Sequence, residues 1–182
     1  MFLLRGVRDL LHILQRIEYR GKLLPLLNHG QERFRAMHAE MAVPPHAQHE
    51  DLLAEIRARV HRTPRIAGDP ALLRVYDTAM DELRRALALF LSPAYQGLEV
   101  SDAFVWRFLV AEDFLPLVRR HEQEAVAVFA HFAILLKRLE SQWWLQGWGV
   151  HLVSRAWRVL DAEHRLWIQW PVEEVGWVPP NR

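Results

Sequence analysis

Cysteine is absent from all 182 residues, which excludes disulfides and thiolate metal sites and says little about compartment. Charge of one sign is missing as well. Lys plus Arg (23) and Asp plus Glu (22) cancel to a net +1, so no global field recruits nucleic acid. Long apolar runs are scarce. The stretch from Ala125 to Leu136 falls short of the roughly 20 residues a bilayer span needs. Met1-Phe2-Leu3-Leu4 is interrupted by Arg5 and Arg8 before a signal-peptide core forms. There is no Gly-x-Ser-x-Gly elbow and no glycine loop of the phosphate-cradling kind. Strand alternation is nowhere sustained, no Asn-Gly or Asp-Gly hairpin pair occurs, and no repeat at solenoid periods is present.

What remains is a helical pattern at a length suited to one domain, with 51% hydrophobic residues. Leu3, Val7, Leu10, Leu11 and Leu14 recur at spacings of three and four, and a weaker segment follows around Gln31 to Met41. Leu52, Leu53, Ile56 and Val60 mark a helix entered near Glu50 and Asp51, where negative charge suits the macrodipole. Thr63 to Pro70 reads as a linker, and Asp69-Pro70 as an N-cap followed by a first-turn proline. Leu72, Tyr76, Ala79, Met80, Leu83, Leu87 and Phe90 then predict a long amphipathic helix, closed at Ser92-Pro93. Ser92 to Asp102 reads as a surface loop, and Pro116 as a break or first turn in a less regular stretch. Gln123 to Glu140 predicts the most apolar helix. Val150 to Leu160 predicts the last long one, punctuated beforehand by Gly147 and Gly149. Asp161 caps a short turn to Trp167, and Trp170-Pro171 ends it with a tail beyond. The expected fold is all-α: a single-domain bundle of about six to eight helices over residues 1–178, without a sheet, with 179–182 as a tail.

Within this pattern one block is singular: Trp143-Trp144-Leu145-Gln146-Gly147-Trp148-Gly149. All eight tryptophans lie between Trp106 and Trp177, and three of them fall here beside two glycines. Indoles are large, apolar and carry an N–H that wants a partner when buried; glycine permits a sharp bend or close backbone approach. The block reads either as core that anchors the last helix or as one wall of an apolar pocket. A substituent at Gly147 is expected to meet large rings or to require an unfavourable backbone angle.

Three pieces in order resemble the C-terminal regulatory region of fungal zinc-cluster transcription factors, of the sterol uptake control type. They are Ala130-His131-Phe132-Ala133 with the apolar helix that follows, the tryptophan block, and Trp167-Ile168-Gln169-Trp170-Pro171. Phe132 stands where that group has tyrosine. Leu3-Leu4-Arg5-Gly6-Val7 and Asp81-Glu82-Leu83-Arg84 add a less specific likeness. The resemblance implies a nuclear, non-enzymatic ligand-sensing region, cytoplasmic in a ligand-bound state, that takes a sterol or other apolar ligand. Phe129, Phe132, Leu136, Trp143, Trp144, Gly147 and Trp148 are the ligand-binding residues it points to. Factors of this group carry a six-cysteine, two-zinc DNA-binding module. This sequence has no cysteine, so the resemblance extends to the regulatory region and not to DNA binding by this polypeptide. The alternative is a helical module for dimerisation or coactivator contact, with no small ligand.

Other constellations read as structure. His131, among apolar neighbours, reads as a core histidine satisfied by a backbone carbonyl rather than a ligand donor. His46 and His49 lack a third ligand for zinc, so no metal site is expected. Arg57, Arg59, Arg62 and Arg65 suit a helix C-terminus and a solvated face. Glu112 with Asp113, and Glu122 with Glu124, are neighbours in sequence only, which does not make a catalytic pair. No enzyme activity or cofactor is expected.

Overall fold

The computed structural model describes residues 47–91, 100–110 and 112–180. The two expected N-terminal helices, at Leu3–Leu14 and Gln31–Met41, lie outside the described residues. The described chain runs α1 (Ala47–Arg62), α2 (Pro64–Ala67), α3 (Pro70–Leu91), α4 (Val100–Leu109), α5 (Leu115–Arg119), α6 (Gln123–Ala130), α7 (Phe132–Arg138), a 3₁₀ turn (Trp143–Leu145), α8 (Trp148–Val159), α9 (Ala162–Trp167) and α10 (Gln169–Val175). Among the described residues there is no strand, and the architecture is an all-α single domain. No described helix is long and apolar enough to cross a membrane.

The long helices follow from periodicity. In α3, Tyr76, Ala79, Met80, Leu83, Ala86, Leu87 and Phe90 are all buried along one stripe. Asp69 starts it as expected: its Oδ1 accepts from the amides of Ala71 (2.9 Å) and Leu72 (3.1 Å). The segment ahead of Asp69 is more ordered than a linker. Pro64 at the first turn opens α2, and Ile66 is fully buried there, fastening the chain between α1 and α3. The loop expected to reach Asp102 ends earlier. Its residues 92–99 are not described, but α4 begins at Val100 and Asp102 is buried within it.

The helical segments are shorter and more numerous than the sequence pattern suggests, for two reasons. The apolar run from Gln123 is divided at His131. There the His131 amide bonds to the Val128 carbonyl (3.2 Å) and the Ile134 amide to the His131 carbonyl (3.1 Å), both tight three-residue steps. The expected tail beyond Trp170-Pro171 is instead α10. Pro171 sits in its first turn, where a missing N–H costs nothing, and Pro171, Val172 and Val175 are buried. Gly176, at φ +72°, ends it in a Schellman arrangement, with Trp177 N–H donating to the Val172 carbonyl (3.1 Å) and Gly176 N–H to that of Glu173 (3.0 Å).

The core is a single apolar cluster to which α1 and all the later helices contribute. The central element is α7, whose Phe132, Ala133, Ile134, Leu135 and Leu136 are all buried. It packs against α3, α8 and α10, so it is enclosed on several sides.

Candidate functional site

The tryptophan block begins where α7 runs out. Leu139, Gln142 and Leu145 each bond back three residues, to Leu136 (3.2 Å), Leu139 (3.0 Å) and Gln142 (2.9 Å). This winds the chain into the tight turn Trp143–Leu145. Leu145 is fully buried and pins the turn, whereas Trp143 is 74% exposed and Trp144 36%. Glu140 holds the exit: its carboxylate accepts from the Gly147 amide (3.2 Å) and from Lys137 Nζ (2.7 Å). Gly147 then reverses the chain at φ +76°, and its carbonyl starts α8 by accepting from the His151 amide (2.9 Å).

The glycine expectations exchange places. An added Cβ at Gly147 meets nothing within 4 Å, so its constraint is the backbone angle alone, and a carboxylate there faces solvent. Gly149 is the packed one, and lies inside α8 rather than ahead of it. A Cβ on it falls 2.9 Å from the Ala133 carbonyl oxygen and 3.2 Å from Val175 Cγ1. That absence of a side chain lets α8 lie directly on α7 while α10 covers the junction. The sequence signal for this was the Gly-x-Gly spacing, which does not say which glycine is packed.

The seven expected ligand residues divide into two environments. Phe129, Phe132 and Leu136 belong to the interior. Trp106, wholly buried, stacks on Phe132 (centroids 5.3 Å, planes 26° apart) and lies tilted on Phe129 (5.9 Å), while Phe104 meets Phe132 edge-on (5.8 Å). The Trp106 indole N–H donates to the Ala79 carbonyl on α3 at 2.8 Å. Trp143, Trp144 and Gly147 lie at the surface, and Trp148 is half-buried against the core. The set thus divides by burial, with the phenylalanines and Leu136 inside and Trp143, Trp144 and Gly147 at the surface. Trp106 is the partner that inspection of the block alone leaves out.

His131 is a core histidine. It is almost wholly buried, its Nδ1 lies 2.9 Å from the Ala127 carbonyl, and its ring lies 5.8 Å from that of Trp170. Burial pushes its pKa down to about 4, against the smaller upward pull of the Ala127 carbonyl, so the imidazole is neutral near pH 7 and donates to that carbonyl. Arg107 is likewise buried, and burial together with the Arg119 charge lowers it to about 10.

A cleft of about 530 Å³ opens elsewhere, between the end of α1, α2, α6 and α9. Its walls are polar: Arg59, Arg62, Glu124, Glu163 and His164 surround Trp167, and none of the seven expected residues lines it. Arg59 pairs with Glu55 and rests over the Trp167 ring at 5.9 Å. Arg57 pairs with Asp81, and Arg65 with Glu122. These arginines are therefore engaged in ion pairs on the protein's own surface. Glu122 also meets Arg120 (3.3 Å), and Glu112 and Asp113 are exposed. Among the described residues no three His, Asp or Glu side chains gather as metal ligands. His46 lies outside the described residues, as does the side chain of His49.

No family model, curated protein or solved structure matches this chain.

Proposed function

We propose that this chain is a regulatory, ligand-sensing region of the kind found in fungal zinc-cluster transcription factors of the sterol uptake control type. An apolar ligand, a sterol in the leading reading, binds one packing of the C-terminal helices better than another and shifts the equilibrium between them. The region acts in the nucleus, or from the cytoplasm when liganded, without catalysis of its own. The supporting observation is the convergence of the three resembling pieces. They are separate in sequence, yet α8, α7 and α10 pack together so closely that a side chain on Gly149 of the block would meet Ala133 of the first piece and Val175 just beyond the third. His131 of the first lies against Trp170 of the third. A junction that relies on a bare glycine is bistable in principle, because small shifts of α8 over α7 change which side chains interlock.

The test is titration of the full chain with a fluorescent sterol. Saturable binding by the wild type is expected, with a marked loss in Gly149→Leu and little change in Trp143→Ala, each variant checked for retained helicity. A wild type that binds no sterol saturably refutes the ligand reading. It leaves the second one, a helical interaction module with no small ligand, which the exposure of Trp143 and Trp144 favours.

A further inference from the structure

We propose that the outer face of α8, together with the tryptophan turn ahead of it, docks on an anionic lipid surface. The inference stands on its own observations and does not rest on the sterol reading. Trp143, at 74% exposure, and Trp144 project from a turn whose buried Leu145 holds it in place. Gln146 and Gly147 alone separate that turn from α8, which keeps the two within roughly 10 Å. Along α8 the exposed positions are His151, Arg155 and Arg158. Their spacings of four and three set them in one stripe about 10 Å long.

The two arginines of this stripe lack a carboxylate partner among the described residues, as do Arg62 on α1, Arg74 on α3 and Arg119 on α5. Arg57, Arg59, Arg65, Arg84, Arg85, Arg120 and Arg138 each meet a carboxylate. The stripe is flanked by half-buried Trp148 and Leu152. Val178, 81% exposed, follows Trp177, whose ring lies 5.8 Å from that of Trp157 on the same helix. Unpaired positive charge on α8 thus follows directly in the chain on the exposed indoles of the turn ahead of it.

Three occupants compete for such a face. A second copy of the chain, placed by a two-fold axis, sets Arg155 and Arg158 against their own counterparts, which repel. A protein partner needs a contact of about 800 Å² per side, and two partly exposed indoles offer only a few hundred. A bilayer needs no matching pocket. Indoles settle at headgroup depth, and each cation near an anionic leaflet strengthens docking about fivefold. Two arginines with two indoles give weak, reversible attachment.

The experiment is co-sedimentation of the full chain with vesicles of phosphatidylcholine, alone or with one-third phosphatidylserine. Binding should favour the anionic vesicles and weaken with salt. Brominated acyl chains should quench part of the tryptophan emission. Arg155→Glu with Arg158→Glu should reduce binding at least tenfold, and Trp143→Ser with Trp144→Ser should remove the bromine quenching. All four positions are exposed, so unchanged circular dichroism is expected of both variants. Equal binding to neutral and anionic vesicles, or variants that bind like the wild type, overturns the proposal. So does saturable binding of polyglutamate by a chain that ignores vesicles, which assigns the face to an acidic protein.

Discussion

Trp106 and Trp143 are the same residue in opposite circumstances. Trp106 is wholly buried, stacked on Phe132 and hydrogen-bonded to the Ala79 carbonyl. Trp143 lies on a turn with three-quarters of its surface in water. The contrast separates an aromatic that holds the fold from one that is available to something outside it. It also separates the interior phenylalanines of the expected ligand set from its exposed indoles.

The sharpest way to break this comparison is to truncate both rings. Trp106→Ala should lose about 3–5 kcal/mol of stability, because it removes a stacked ring, leaves a cavity and loses the indole hydrogen bond to the Ala79 carbonyl. Trp143→Ala should stay within about 0.5 kcal/mol of the wild type. Denaturant midpoints of the two variants measure the difference, and similar losses would mean that the turn packs in solution.

The pH dependence sharpens the same contrast for a titrating core group. The folded pKa of His131 is about 4, below its ordinary 6.5, so the unfolded chain binds the proton more readily. The stability held by the neutral ring is complete above pH 6.5 and declines as pH falls towards 4, by up to about 3 kcal/mol. Urea unfolding across that range should show a shallower acid decline in His131→Leu than in the wild type. Parallel curves would show that the buried ring does not resist protonation.

The two glycines supply smaller effects than Trp106. Gly149→Ala forces a methyl group against the Ala133 carbonyl, at an expected cost of about 1–3 kcal/mol. Gly147→Ala meets open space and should cost only about 1 kcal/mol, for the left-handed backbone. Thermal melts should rank Gly149→Ala below Gly147→Ala. The reverse order would relocate the close approach.

Much of the helical framework was legible before any coordinates. The stripe Tyr76–Met80–Leu83–Leu87 and the Asp69 cap are local signals, and both hold in the structure. The helix past Pro171 was not legible, because proline is as compatible with a first turn as with a stop; burial of Val172 and Val175 decides between them. For the candidate site, the block was recognisable as singular, yet neither its exposed indoles nor the role of Gly149 was. Trp143 and Trp148 have the same side chain, and no local rule distinguishes the exposed ring from the half-buried one.

Sequence by itself therefore determined the all-α class, most helix starts and the concentration of aromatic mass in the C-terminal part. Those properties arise from capping, backbone restriction and a 3.6-residue period, which act within a few residues. Tertiary structure alone decided that His131 sits neutral against Ala127 and Trp170, that α8 rests on α7 through Gly149, and that Arg155 and Arg158 stand unpaired. Each of these depends on which distant surface comes into contact, and burial and charge pairing are set by that contact rather than by the neighbouring residues in the chain.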